Sequence, residues 1–349
     1  MEYEAFFQYN ELYDLVDIRE SVGKFMEKEQ QAPTYGGQAL VEGVMFGGKN
    51  HTVAAIRRKD DTIDYFHLPK EKNSVRLKLK KIPFVRGIVA LIESAGVGSR
   101  HLTFSSERYD VMPGEEVVKE EETSKLAMVL GVAAVGVLSL LFGKFVFTLI
   151  PVFLAQALQF VAPGKTAQIL LESLFKLILL LTYVSLISMT PLIKRVFQYH
   201  GAEHKVINAY ENNLPMTVEN VQAQSRLHFR CGSSFMLFTV IVGMFVYFLV
   251  PTDPFWLRIV NRILLIPVVL GISFEVLQLT NSLRNVPVLK YLGYPGLWLQ
   301  LLTTKDPDDK QVEVAIASFE RLLEIEEHGP VAMEVVTKSD SETETVPVT

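Results

Sequence analysis

Three of the seven histidines and the only cysteine of this chain fall in one polar stretch between two long apolar runs. The stretch reads Gln198-Tyr199-His200-Gly201-Ala202-Glu203-His204-Lys205 and, after a spacer, His228-Phe229-Arg230-Cys231-Gly232. His200, Glu203 and His204 spell H-x-x-E-H, the inverted order of a zinc-protease motif. On a helix, residues four apart share a face, so both imidazoles can reach one metal ion. In that chemistry His200 and His204 are ligands, and Glu203 is the base that acts on a metal-activated water. His228 and Cys231 offer two more soft donors. A set of His200, His204, His228 and Cys231 is four-coordinate and closed, the structural pattern of zinc, whereas catalysis needs one position left open. Thiolate and imidazole suit zinc or a similar divalent transition metal; magnesium or calcium would want more carboxylates. The plain alternatives are a solvated helix face for the His/Glu triplet, since short motifs recur by chance, and an inert buried position for Cys231.

The elements that must hold these residues are mostly apolar. Of the 349 residues, 49% are hydrophobic, more than suits an ordinary soluble enzyme. One cysteine excludes an internal disulfide. The net charge of -5 hides an uneven distribution. Acid gathers at the ends, while Lys70, Lys72, Arg76, Lys78, Lys80, Lys81 and Arg86 form a basic run. No stacking aromatics interleave with that run and an apolar segment follows it, so a membrane-facing patch is the better reading and nucleic acid is excluded as partner. The first thirty residues carry no apolar run of signal-peptide type.

Four segments are long and apolar enough to span a bilayer, at roughly twenty residues each: 126–149, 168–190, 233–251 and 259–281. The stretch 145–162 is ambiguous, broken by Pro151 and made amphipathic by Gln156 and Gln159. Charge arbitrates. Lys194, Arg195, Lys205, Arg226 and Arg230 mark the His-rich loop as cytoplasmic, as the basic run marks the segment before the first span. An even number of spans must separate them, which makes 152–162 an outer-face or re-entrant element. The expected fold is mainly α: a polytopic helical protein of the cell membrane, with about four spans, both termini cytoplasmic and a small cytoplasmic β-rich N-terminal unit. Its partner is the lipid bilayer, and homo-oligomers are compatible with this reading.

The expected organisation is an acidic arm (1–35), a β-rich unit with an interfacial helix (36–104), a linker (105–125), a first membrane helix pair (126–193), the His/Cys loop (194–232), a second pair (233–285), a C-terminal helix (286–328) and a disordered tail (329–349). Within 36–69, a loosely alternating segment 38–45 and strands at 52–57 and 62–68 are expected, with a turn at Lys59-Asp60-Asp61. The apolar positions of 82–103 are interrupted by Arg86, Glu93 and Arg100, as in a helix lying in the membrane interface.

Two further carboxylates draw notice. Glu275 lies inside the fourth span, where an ionised group calls for a partner or a function; it is also a candidate third metal ligand if the metal sits at the membrane surface. Gln278, Asn281 and Ser282 continue its face, and Thr182, Ser185 and Ser188 form a second polar stripe. Such stripes either line a path or bond helices together. Glu42, between glycines, is expected to pair with the basic run.

At several blocks the chain resembles the YqhQ family, bacterial membrane proteins of unknown function. These are GGQALVEGVM at 36–45, RGIVALIES at 86–94, QYHGAEHK at 198–205, HFRCGSSF at 228–235 and PGLWLQLLTTKDPDD at 295–309. The family's second His block usually reads H-P-R-C-G-T; Phe229 and Ser233 depart from it while His228 and Cys231 remain. Members are sometimes labelled metal-dependent enzymes, which implies a metal site at His200, Glu203, His204, His228 and Cys231. Two function classes stay open: a metal-dependent membrane hydrolase using Glu203, and a non-catalytic channel, transporter or scaffold whose metal clip shapes its cytoplasmic face.

Overall fold

The computed structural model describes residues 35–70, 74–112, 142–143, 145–284 and 286–329. The expected acidic arm, most of the linker, most of the first span (126–149) and nearly all of the tail lie outside these residues.

Four short strands form one antiparallel sheet in the order β1 (Gly36–Leu40), β2 (Gly43–Gly47), β3 (His51–Arg57), β4 (Ile63–Pro69). The segment 38–45, expected to run as one alternating stretch, is a hairpin, with Leu40 opposite Gly43. Glu42 makes the turn by adopting φ 53, a left-handed conformation uncommon outside glycine. Strands β2 and β3 are buried on both faces, which removes the period-two signal from their sequences. Val44, Phe46, Val53 and Ala55 belong to one core and Leu40, Met45, Ala54 and Ile56 to another.

Helices cover both faces. After α1 (Ser74–Leu79), α2 (Val85–Arg108) extends beyond the expected 103. Its C-terminal part lies on the second core through Phe104, stacked on Phe66 at 4.9 Å. The first core is closed by α5 (Pro191–Glu211), which carries H-x-x-E-H, and by α11 (Asp309–His328). Asp308 and Gln311 form a reciprocal cap that starts α11. Ser318 Oγ donates to the carbonyl oxygens of Val44 (2.9 Å) and Val53 (3.2 Å), and Glu326 accepts from the backbone N–H groups of Asn50 (2.7 Å) and His51 (2.8 Å).

The remaining elements are largely apolar: a π-helical turn (Phe145–Leu149) leading into α3 (Ile150–Ala157), then α4 (Lys165–Ile187), the short α6 (Val218–Gln222), α7 (Gly232–Phe248), α8 (Phe255–Leu264), α9 (Ile266–Ser282), a 3-10 turn (Leu289–Gly293) and α10 (Tyr294–Thr303). Four spans were expected; among the described residues, α4 alone is a single helix long and apolar enough to cross a membrane. The fourth expected span is the pair α8–α9, bent by 51° where Pro267 opens α9, and it counts as a second only if the pair is one broken span. With 17 residues, α7 is about 25 Å long, short of the roughly 30 Å of a hydrocarbon core.

Two glycines of the His/Cys region differ in what they make room for. A Cβ at Gly201 would lie 2.0 Å from the Lys305 carbonyl oxygen, whereas one at Gly232 would meet nothing described within 4 Å. Gly201→Ala must push the 304–307 segment off α5 and break the bond from Lys305 N–H to the Phe197 carbonyl (2.8 Å). The expected loss of stability is about 1–3 kcal/mol, the usual cost of overpacking. Gly232→Ala should change the denaturation midpoint little, and equal effects of the two substitutions would contradict this packing.

Fully buried His101 on α2 lies 2.9 Å from Thr52 Oγ1, and that hydroxyl also lies 3.3 Å from the Leu68 carbonyl. The imidazole is therefore the donor at Nε2, and its Nδ1 has no partner among the described residues. Burial pushes its pKa down to about 4. The folded state thus refuses a proton that the unfolded chain accepts near pH 6.5, so this contribution is complete above that pH and is lost as pH falls toward 4. Stability measured across this window should decline with acid, and more shallowly in His101→Gln. An unchanged slope would place the linkage elsewhere.

Candidate metal centre

Pro191 opens α5 after an extended Thr190, which pre-sets the first turn, and one face of the helix then meets the sheet while another meets the 222–231 and 300–307 segments. His200 and His204, one turn apart, meet edge to face with ring centroids 4.5 Å apart. His200 Nδ1 is 2.8 Å from the Thr303 carbonyl oxygen and His204 Nδ1 is 2.6 Å from that of Arg226. A carbonyl oxygen only accepts, so both rings donate from Nδ1, and the neutral form of each presents Nε2 as an acceptor. Metal-binding histidines are held in this way, the outer nitrogen donating to a carbonyl. His200 Nε2 lies 3.2 Å from Cys231 Sγ. The ligand atoms of His200, His204 and Cys231 lie within 4.8 Å of one another. Zinc bonds of about 2.3 Å to sulfur and 2.0–2.1 Å to nitrogen give tetrahedral edges of roughly 3.5 Å, so these donors need only small shifts to close on one ion.

Cys231 caps the N-terminus of α7. Its sulfur accepts the Ser233 N–H (3.4 Å) and touches Ser233 Oγ (3.0 Å), which in turn accepts from Thr303 Oγ1 (3.1 Å). Side chains of α5 hold the loop that carries Arg226 and His228. Lys205 Nζ donates to the carbonyls of Gln222 (2.7 Å) and Gln224 (2.9 Å), and Asn208 Nδ2 to those of Ser225 (2.7 Å) and Leu227 (3.1 Å).

Of the four donors read from the sequence, His200, His204 and Cys231 form the close group, and the His228 ring lies 5.7 Å from that of His204, centroid to centroid. His228 is buried but falls outside the group; its Nε2 is 3.7 Å from Glu211 Oε2. Gln300 grips the His228 backbone at both N–H (2.8 Å) and carbonyl (2.7 Å). Burial pushes the His228 imidazole down to about 4, against the pull of Glu211. Burial also works against the Glu211 charge, yet His228 and Arg230 beside it draw that carboxyl down to about 2.

Glu203 also stands apart from the three donors. It is buried against β1, accepts the Gly37 N–H, and lies so close that a Cβ on Gly37 would be 2.8 Å from its Cγ. Burial pushes its pKa up to about 7, with His200 and the Gly37 bond pulling the other way.

Glu42 pairs with Arg195 through both carboxylate oxygens and lies 3.2 Å from the Tyr199 hydroxyl. The basic run was the expected partner; the β1–β2 turn instead folds over α5, so Glu42 positions the helix that bears the donors. Glu275 lies outside the group of His200, His204 and Cys231. It accepts from Arg86 through both oxygens (Nε at 2.8 Å) and from the Phe84 N–H (3.0 Å), and so joins α9 to the start of α2. In the polar stripes, Ser188 and Ser282 bond back to carbonyls of their own chain segments.

Three buried charges carried no expectation. Glu172 on α4 accepts from Arg262 (2.7 and 3.0 Å) and Arg258 (3.1 Å) of α8, and Arg262 stacks on Tyr247 at 3.8 Å. Two arginines four apart in an apolar run, with one acid inside another, were the available signal.

The family described as protein of unknown function DUF1385 matches residues 82–325. The uncharacterized protein YqhQ of Bacillus subtilis (strain 168) is 66% identical over 304 residues, which cover 86% of this chain and 96% of that protein. No solved structure matches the chain. The resemblance seen in the His and Cys blocks thus extends over most of the sequence, and the chain belongs to the DUF1385 family.

Proposed function

We propose that the chain is a multi-pass protein of the cell membrane and a metal-dependent hydrolase. Its centre is a divalent transition metal, zinc by donor chemistry, held by His200, His204 and Cys231 on the cytoplasmic side. The observation that carries this reading is the three-donor group with both outer imidazole nitrogens already tied to carbonyls. Three protein ligands leave a position for substrate or water, as in catalytic zinc sites. A structural clip would need a fourth donor, and the Nε2 of His228, the residue that would supply it, lies 3.7 Å from Glu211 Oε2 and outside the close group. The loop is also held by Lys205 and Asn208, so it has little need of a clip. The apolar helices support the membrane placement, and the basic residues of the 194–232 segment support its orientation.

A divalent ion at such a centre polarises a carbonyl or phosphoryl oxygen and makes water acidic near neutral pH. The chain's own contribution is geometric and protonic. Thr303 and Arg226 orient the two rings and Ser233 steadies the sulfur, while Glu203, on the same turn of α5 but turned to β1, would serve as acid–base group once it swings from the Gly37 N–H to the centre. Burial holds that carboxyl above the ordinary carboxylate range, the direction a general acid–base needs.

Loading the purified full-length protein with cobalt(II) tests the centre without a substrate. A sulfur-to-cobalt charge-transfer band is expected and should vanish in Cys231→Ser. His200→Ala and His204→Ala should weaken binding at least about tenfold, since each removes a bond to the metal. His228→Ala should stay within about twofold of the parent, because that ring faces Glu211 rather than the donors. A loss in His228→Ala as large as in the others would restore the closed site, and protein purified without chelator that holds no stoichiometric transition metal would refute the centre.

Glu203→Gln then tests the chemistry. It should keep the cobalt spectrum while lowering metal-dependent hydrolysis of activated ester and phosphoester probes by about 10²–10⁴. Parental turnover in this variant would remove Glu203 from the reaction.

A further inference from the structure

Between the sheet and α9 the chain makes a turn whose surface is unusual for water. Residues 76–78 and 80–85 are all exposed, and they interleave Arg76, Lys78, Lys80 and Lys81 with Leu77, Ile82, Phe84 and Val85. Ile82 is 48% and Phe84 54% exposed. No acidic residue occurs from Ser74 to Ile92. Lys80 pairs with Glu93, but Lys78 and Lys81 have no side-chain partner among the described residues.

The turn does not hang free. Phe84, at φ 66, donates its N–H to Glu275 (3.0 Å), and a Cβ on Gly271 would lie 2.6 Å from the Phe84 carbonyl oxygen. A Cβ on Gly87 would lie 2.5 Å from Phe274 Cβ. Gly271, Phe274 and Glu275 are the sixth, ninth and tenth of the 17 residues of α9, so the tip is fixed roughly halfway along an apolar helix. Its exposed apolar side chains thus stand beside a segment that itself presents an apolar surface, with unpaired cations directly adjoining them.

We propose that residues 76–86 are a binding site for acidic phospholipids. Ile82, Phe84 and Val85 enter the acyl region of the leaflet next to the sheet domain, while Lys78 and Lys81 take the phosphoryl groups of anionic headgroups. Charge complementarity commits the site to lipid. Cations at the membrane surface attract anionic headgroups, and long lysine stems reach the headgroup level from an inserted backbone. A nucleic acid or an acidic protein would satisfy the lysines but leave the apolar tip in water. The inference rests on the membrane placement proposed above and is independent of the metal centre.

Full-length protein reconstituted in phosphatidylcholine vesicles containing phosphatidylglycerol provides the test. The chain has two tryptophans, Trp256 and Trp298. In a background with both changed to Phe, Ile82→Trp places a reporter indole at the tip, and Leu77→Trp serves if the first variant does not fold. Brominated phosphatidylcholine and brominated phosphatidylglycerol should both quench the reporter. At equal mole fraction the acidic lipid should quench at least about twofold more. Lys78→Gln with Lys81→Gln should abolish the difference and leave the quenching. Equal quenching before the lysines are changed overturns the site. So does a reporter that neither lipid quenches while the native indoles of the parent protein are quenched, which leaves the membrane placement standing. If neither the reporter nor the native indoles are quenched, the membrane placement fails and the site fails with it.

Discussion

A backbone carbonyl occupies the space that a side chain on residue 201 would need. Because residue 201 is glycine, the Lys305 oxygen approaches to 2.0 Å from where a Cβ would be, and the link between α10 and α11 lies directly on α5. The bond from Lys305 N–H to the Phe197 carbonyl then fixes the register of the two segments. Much else follows from that contact. It brings the Thr303 carbonyl to His200 and the Thr304 carbonyl to Arg226, and it lets Gln222 reach the Pro307 carbonyl. Two stretches of the chain, 222–231 and 303–307, thereby meet on one helix, and Cys231 comes to lie beside His200 and His204.

Several acids that join elements in this protein have arginine partners from elsewhere in the chain. Glu42 joins the hairpin to Arg195 of α5, Glu275 joins α9 to Arg86 of α2, and Glu172 joins α4 to Arg258 and Arg262 of α8. Such pairs add little net stability once desolvation is counted, but breaking one leaves an uncompensated charge, so they favour one arrangement over its neighbours. Glu203 differs from these three. It is buried, no lysine or arginine pairs with it among the described residues, and its only hydrogen bond to the sheet comes from a backbone N–H. That isolation raises its pKa toward neutrality and distinguishes it from carboxylates whose role is to hold elements together.

Much of this was legible in the residues themselves. The four-residue spacing of His200 and His204 placed both rings on one helical face, and the strands at β3 and β4 were visible in their composition. The apolar segments were recognisable as such, but their geometry was not, because Pro267 bends one of them and α7 stops after 17 residues. The hairpin at 36–47 was hidden because Glu42, rather than a glycine or asparagine, takes the left-handed turn position.

The sequence by itself determined which donor types exist and which of them share a face, since those properties depend on residues within one or two helical turns. Which donors meet was decided by tertiary structure alone. His228 and Cys231 are three residues apart and both are possible ligands, yet only Cys231 joins the close group with His200 and His204, its sulfur touching Ser233, while Gln300, 72 residues beyond His228, holds the His228 backbone. The partner of Glu42 was likewise set 153 positions away, at Arg195. Contacts over such separations depend on how whole elements pack, and no local pattern of charge or hydropathy encodes them.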